Sequence, residues 1–216
     1  MEFVSQIIDI FLHLDTHLEQ IIATYGIWTY ALLFLIIFSE TGFVVVPFLP
    51  GDSLLFAAGA FAARGSLDPW GLSLLLSLAA IVGNSTNYWI GHMIGPRAFQ
   101  SPNSKILRKD YLDRTHRFYE RYGGRTIIIT RFVPIVRTFA PFVAGVGAMT
   151  YPRFMMFNVV GGLAWVLAFV WGGYWFGNIP AVRNHFSIVV VAIIVVSTLP
   201  MAVEWLRHKR AASTTR

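Results

Sequence analysis

The sequence contains little charge and no cysteine. Of its 216 residues, only 13% are charged and 56% are hydrophobic. Soluble domains carry about 25% charged residues, so the composition argues against a soluble protein and favours a polytopic membrane protein. The lack of cysteine excludes disulfide bonds and thiolate metal sites.

The positive charges are concentrated in two segments. The net charge is +6 at pH 7, and most of the excess lies in a loop at residues 96–125 and a tail at residues 207–216. By contrast, residues 1–30 contain neither Lys nor Arg. Cytoplasmic loops of membrane proteins are enriched in Lys and Arg, which predicts that the loop and the tail are cytoplasmic. Because this topology accounts for the basic charge, we expect no nucleic-acid partner.

The apolar stretches predict an all-α fold. Residues 1–20 place apolar side chains at helical spacing with acidic ones between them, which predicts an amphipathic N-terminal helix. Residues 21–206 form the predicted transmembrane domain. Largely apolar stretches, close to the ~20 residues that a spanning helix needs, predict membrane spans at Ile21–Ser39, Pro69–Gly95, Phe154–Gly177 and Phe186–Leu206.

Two further apolar segments, at residues 42–63 and 126–151, contain helix-breaking residues. These are Pro47, Pro50 and Gly51 in the first segment, and Pro134 and Pro141 in the second. Irregular backbone at membrane depth is tolerated only where protein buries it or where it lines a cavity. Each segment is therefore predicted to be a re-entrant helical hairpin, with Asp52 capping the helix that follows the first break. The similar order of elements favours an inverted-repeat-like arrangement of the two hairpins.

Four charged residues lie in or beside these broken segments: Glu40, Asp52, Arg131 and Arg137. One charge at the centre of a bilayer costs roughly 2.5–3.5 kcal/mol on insertion scales, so these four must be paired, hydrated or near the surface. One interpretation is purely structural, with either carboxylate forming a buried salt bridge to either arginine. Buried ion pairs contribute little net stability, which favours a functional interpretation instead.

The chemistry of the four groups suggests two roles. Arg131 and Arg137 offer planar donors that suit a phosphate, so they are the predicted substrate-binding residues. Glu40 and Asp52 are the predicted proton-coupling groups, since a desolvated carboxyl group takes up a proton more readily. In this hypothesis the charged carboxylates hold the arginines, and protonation releases the arginines to a phosphate. The predicted supporting residues are Pro47, Pro50, Gly51, Pro134, Asn84 and Tyr88.

Other polar residues are better explained by packing or surface roles. Asn84, Asn87 and Tyr88 are expected to form contacts between helices rather than to bind substrate, and His92 is expected to pack or face the surface. His13 and His17 are four residues apart without a third ligand in the pattern, so no metal or cofactor is expected. A membrane phosphatase would need a nucleophilic His near basic residues or a metal-binding carboxylate cluster, and neither broken segment contains His. No catalytic residue is therefore predicted.

The two broken segments resemble the DedA family of bacterial inner-membrane proteins. The resemblance rests on Phe38-Ser39-Glu40-Thr41-Gly42, Pro47-Phe48-Leu49-Pro50-Gly51-Asp52-Ser53-Leu54, Arg131-Phe132-Val133-Pro134-Ile135-Val136-Arg137-Thr138 and Ala144-Gly145. The family shares its domain with VTT-type lipid scramblases. Its functional acidic pair corresponds to Glu40 and Asp52, and its arginine pair corresponds to Arg131 and Arg137. The resemblance assigns no role to Asn84 and His92, because the family often has Asp and Arg there.

The resemblance implies lipid translocation that depends on the proton motive force. We therefore predict a flippase that moves undecaprenyl phosphate across the bacterial inner membrane, for recycling of this carrier lipid in cell-envelope synthesis. One alternative is a scramblase or flippase for phosphatidylethanolamine, which would depend weakly on the arginines. Another is a non-transporting assembly factor, whose interaction surfaces would be the N-terminal helix and the basic loop. Whether the functional unit is a monomer or a homodimer stays open.

Overall fold

All the secondary structure elements in the described part of the chain are helices. The computed structural model describes residues 20, 24–43, 51–99, 124–132, 134–147 and 149–180. The helices are α1 (Trp28–Gly42), α2 (Gly51–Ala63), α3 (Pro69–Phe99), α4 (Arg125–Thr130), α5 (Pro134–Val146) and α6 (Tyr151–Gly177). The prediction of an all-α fold is confirmed for these residues.

Length and hydropathy together separate α6 from the other described helices, although α3 is longer at 31 residues. Among the described residues, α6 is the one helix both long and apolar enough to cross a membrane, with 27 residues. The 15 residues of α1 reach only about 22 Å at 1.5 Å per residue, less than the ~30 Å hydrocarbon core. The prediction of one continuous spanning helix over Ile21–Ser39 is wrong, because α1 begins only at Trp28. Gly26 precedes α1 with a φ of 51°, a left-handed conformation that ends helical hydrogen bonding and that glycine adopts readily.

The chain divides into two compact units. The described part of the first unit includes α2, the start of α3 up to Leu72 and residues 169–180. Glycine allows close backbone packing in this unit, since a Cβ added at Gly59 would lie 2.0 Å from the carbonyl oxygen of Val170. Trp70 also packs edge-on against Trp171, with ring centroids 4.8 Å apart. Small residues between helices are typical of membrane-protein packing.

The second unit comprises residues 32–49 and 73–168. Here α3 and α5 approach closely, because a Cβ added at Gly145 would lie 2.0 Å from the carbonyl oxygen of Tyr88. Beside this contact, a core cluster unites residues from several helices: Tyr88, Ile127, Ala140, Ala144 and Phe154. This packing joins α3, α4, α5 and α6, which carry or flank most of the candidate site.

The second broken segment is a helix, a break and a second helix. Arg131 and Phe132 form turns after α4, and Pro134 begins α5. The first position of a helix suits proline, because the N–H group that proline lacks would have no helical partner there. Pro141, which we expected to interrupt the segment, lies inside α5. The break therefore lies directly before Pro134, one of the two predicted helix-breaking prolines, and not at Pro141, and it places Arg131 before α5.

In the first broken segment, α2 begins at Gly51 and includes Asp52 in its first turn. Asp52 thus lies within the helix rather than at its cap, a shift of the boundary by one or two residues. Several predictions concern residues outside the described ranges. They are the N-terminal helix up to residue 19, His13, His17, Pro47, Pro50, the basic loop from residue 100 to 123, the last predicted span and the basic tail.

Candidate functional site

A buried salt bridge joins the end of α1 to the start of α5. Glu40 lies in the last turn of α1 and is 0% exposed, and Arg137 lies in the first turn of α5 and is 8% exposed. Nη2 of Arg137 donates a hydrogen bond to Oε1 of Glu40. The sequence left open which carboxylate meets which arginine, and the structure pairs these two.

Asn87 of α3 fixes the backbones on both sides of this salt bridge. Its side chain is fully buried, and Nδ2 donates to the carbonyl oxygens of Thr41 at 3.2 Å and Thr138 at 2.7 Å. These threonines directly follow Glu40 and Arg137 in the sequence. The amide therefore holds the two peptide segments together through groups that carry no net charge.

Arg131 has a different environment from Arg137. It is 3% exposed and follows α4 at the C-terminal cap. Nη2 of Arg131 donates to Oδ1 of Asn158, and makes longer contacts of 3.4 Å to the carbonyl oxygens of Ala80 and Asn158. Within the described residues, no carboxylate pairs with Arg131, and its Nε has no hydrogen-bond partner. Arg131 is thus a buried cation held by neutral acceptors.

Two glycines of α6 make room for the Arg131 side chain. A Cβ added at Gly161 would lie 3.3 Å from Cδ of Arg131, and one added at Gly162 would lie 3.3 Å from its Nη2. Both distances are tighter than ordinary van der Waals contacts. The Gly161-Gly162 pair therefore lets α6 pass close beside the guanidinium group.

Asn158 is the centre of a hydrogen-bond network between α3 and α6. Its Oδ1 accepts from Asn84 at 3.2 Å as well as from Arg131. Its Nδ2 donates to the carbonyl oxygen of Ile81 at 2.9 Å and to Oγ of Ser85 at 3.2 Å. Asn158 was not predicted from the sequence. The available signal was a lone amide side chain one turn before Gly161-Gly162, in a helix whose one charged residue is Arg153.

Both arginines face a small cavity. It is lined by Thr41, Asn84, Arg131, Arg137 and Trp165. The Trp165 ring lies near both cations, with its centroid 6.0 Å from Cζ of Arg131 and 5.3 Å from Cζ of Arg137. The space open to the centre of a water-sized sphere is about 10 Å³, roughly what one water molecule needs. In this conformation the cavity therefore has room for about one water molecule.

Comparison with known proteins identifies the family. Residues 49–175 match the VTT domain. Over 215 residues, covering 99% of this chain and 98% of the relative, the sequence is 55% identical to Protein DedA of Escherichia coli K12. This chain belongs to the DedA family.

Other DedA relatives are named as membrane proteins. The chain is 38% identical over 156 residues to inner membrane protein YqjA of Escherichia coli K12, covering 72% of this chain and 71% of that protein. It is 40% identical over 180 residues to an uncharacterised membrane protein of Mycobacterium leprae, covering 83% and 81%. No solved structure matches the chain. The relatives support the prediction of a membrane protein.

The four charged residues of this DedA-family protein are divided between the two compact units. Glu40, Arg131 and Arg137 belong to the second unit, whereas Asp52 belongs to the first. Asp52 is buried in the first turn of α2, directly after Gly51. The matched VTT domain includes Asp52 and both arginines, and Glu40 lies before it.

Of the remaining predicted residues, Tyr88 and His92 pack against other side chains, and Asn84 also lines the cavity. Tyr88 donates from its hydroxyl group to the carbonyl oxygen of Met149, and its ring stacks on Phe154 with centroids 4.6 Å apart. His92 stacks on Tyr88 at 6.2 Å. Asn84 joins two helices and also lines the cavity. Within the described residues, no group of three or more His, Asp or Glu side chains could hold a metal ion.

Proposed function

We propose that this protein is a lipid translocase that moves undecaprenyl phosphate across the bacterial inner membrane, so that the carrier lipid can be reused in cell-envelope synthesis. The observation that carries the proposal is a pair of buried arginines on one cavity, of which Arg137 alone is paired with Glu40. Guanidinium groups bind phosphate through planar, charge-assisted hydrogen bonds. Among the described residues, Glu40 is the one carboxylate paired with either arginine, which leaves one positive charge for an anionic head group.

The cost of burying these charges supports a functional role. Arg131 is buried without a carboxylate partner among the described residues, and a buried cation of this kind is expensive in a membrane. A salt bridge kept for stability alone would need only one arginine beside Glu40. An anionic substrate explains the second arginine, because its phosphate group supplies the missing negative charge.

Exchange of partners at Arg137 is the proposed transport step. In the closed state the Glu40 carboxylate holds Arg137. Protonation of Glu40 removes its charge, so Arg137 can turn to the phosphate group that Arg131 already attracts. Loss of the proton restores the salt bridge and expels the phosphate. Proton uptake would thereby be coupled to substrate binding, with Asp52 as the second coupling group.

The proposed topology follows from the helix lengths and the distribution of charge. The segments 42–63 and 126–151 enter the membrane as re-entrant hairpins from opposite sides, in an inverted-repeat-like arrangement. The short helices α1, α2 and α5 support this proposal, because none is long enough to span alone. The basic loop and tail lie in the cytoplasm. The substrate changes side without covalent change, so no catalytic residue or cofactor is assigned.

The direct test is movement of undecaprenyl phosphate in proteoliposomes that contain the purified protein. Wild type should accelerate the movement, and Arg137→Ala should abolish the acceleration. Arg153→Ala is the matched control, because Arg153 is an exposed arginine on α6 and should be replaceable without loss. Movement of phosphatidylethanolamine alone would indicate a phospholipid scramblase. Movement of neither lipid would contradict the proposal and indicate that the charges are structural.

A further inference from the structure

We propose that Asn158 is a positioning residue that orients Arg131 with an uncharged acceptor, so that Arg131 stays available to a phosphate head group while Glu40 occupies Arg137. This inference rests on the proposed function and deepens it. It assigns different tasks to the two arginines. Arg131 would be the permanent anion site, and Arg137 would be the conditional one.

The hydrogen bonds of Asn158 permit only one orientation of its amide group. Its oxygen faces two donors, Nη2 of Arg131 and Nδ2 of Asn84. Its nitrogen faces the carbonyl oxygen of Ile81 and the hydroxyl group of Ser85. A flipped amide would place its NH₂ group against both donors and its oxygen against the Ile81 carbonyl. The acceptor is therefore held toward the guanidinium of Arg131.

The lack of charge on this acceptor is the central point. An amide oxygen directs a guanidinium group through a hydrogen bond but does not neutralise it, whereas a carboxylate forms a charge-assisted and stronger bond. Arg131 also keeps an Nε without a hydrogen-bond partner among the described residues. Arg131 is thus oriented and still charged, in contrast to Arg137, which is held by Glu40. An incoming phosphate would meet Arg131 first and would then bind Arg137 once Glu40 has taken up a proton.

A merely structural role for Asn158 makes a different prediction. Asn158 connects α6 to Ile81 and Ser85 of α3, so it could serve only to join these helices. In that case Asn158→Asp and Asn158→Ala should weaken binding only in proportion to the loss of thermal stability that each variant causes. If the neutral acceptor matters, Asn158→Asp should impair anion binding more than Asn158→Ala, although Asp keeps the shape of the side chain.

The test is equilibrium binding of farnesyl phosphate, a short prenyl phosphate, to the full chain in detergent. Asn158→Asp should weaken binding about tenfold or more, because its carboxylate competes with the phosphate for Arg131. Asn158→Ala should weaken it less. Binding by Asn158→Asp equal to that of wild type, or stronger than that of Asn158→Ala, would overturn the inference. If wild type failed to bind farnesyl phosphate, the result would contradict both the proposed function and this inference.

A second pair of variants covers the case in which Asn158→Asp does not fold. Asn84→Ala removes a hydrogen bond to the same Asn158 oxygen but leaves the contact with Arg131. Asn158→Ala should therefore weaken farnesyl phosphate binding several-fold more than Asn84→Ala. Equal effects of the two variants on binding would show that the network only joins helices, and would contradict a positioning role for Asn158.

Discussion

Glu40 and Arg137 are 97 residues apart in the sequence and form a buried salt bridge between α1 and α5. Asn87 connects the carbonyl groups next to both residues, so the two backbones have a support that involves neither charge. In the proposed exchange of partners, this support would hold the helices in place while the salt bridge opens. This separation of support from charge is what a reversible exchange of partners requires.

Substitutions of Glu40 and Arg137 should have strongly coupled effects on the free energy of unfolding. Removing either partner of a buried ion pair costs about 3–5 kcal/mol, because the other charge is left uncompensated. We expect Glu40→Gln and Arg137→Gln each to destabilise the protein, and the double variant to be less destabilised than the sum. Thermal unfolding of the four proteins in detergent measures this coupling. Strictly additive effects would contradict a direct interaction.

A positive charge alone should not be enough for either arginine to bind phosphate. Lys keeps the positive charge but lacks the planar donors that bind a phosphate at two points. Arg131→Lys and Arg137→Lys should each weaken farnesyl phosphate binding about tenfold, the loss expected when roughly 1.4 kcal/mol of interaction disappears. Arg153→Lys on the exposed face of α6 is the matched control. Unchanged binding by both buried variants would argue against direct phosphate recognition.

Trp165 should stabilise both guanidinium groups through the face of its ring. A desolvated cation–π contact is worth about 2 kcal/mol, and the ring lies near both arginines. Trp165→Leu should therefore weaken farnesyl phosphate binding more than Trp165→Phe, which keeps an aromatic face. Binding titrations with both variants measure the difference. Equal losses would indicate that only the volume of Trp165 matters.

Close packing between α3 and α5 should depend on Gly145. A Cβ at this position would lie 2.0 Å from the backbone oxygen of Tyr88, so Gly145→Ala should destabilise the protein by about 1–3 kcal/mol through overpacking. Gly172→Ala is the matched control, because a Cβ there meets nothing within 4 Å. Melting temperatures compare the two variants. A stable Gly145→Ala protein would contradict the observed helix contact.

The sequence allowed the prediction of the charged residues but not of their pairing. Glu40, Arg131 and Arg137 were identifiable because a charge in an apolar segment is costly and needs a reason. The partner of each arginine depends on how α1 and α5 pack against α3, and local sequence does not encode that packing. The late start of α1, at Trp28 rather than at Ile21, had a visible cause in Gly26, although hydropathy alone did not reveal it.

Asn158 illustrates a second limit of what can be predicted from the sequence. An amide in an apolar helix is a recognisable signal, but the same signal fits a contact between helices and a contact with a substrate-binding residue. Only the structure brings Asn158 next to Arg131 and shows which of its atoms faces the guanidinium. Pro141 illustrates the converse, since a proline typical of a break lies within α5.

The central claim is that Glu40 controls access of phosphate to Arg137, and the response of transport to a proton gradient tests it most directly. Undecaprenyl phosphate movement is measured in proteoliposomes with and without an imposed gradient, for wild type and for Glu40→Gln. We expect the gradient to accelerate lipid movement by wild type and to leave the rate for Glu40→Gln unchanged. The Gln side chain has no charge that protonation could remove. An equal response of both proteins to the gradient would contradict the claim.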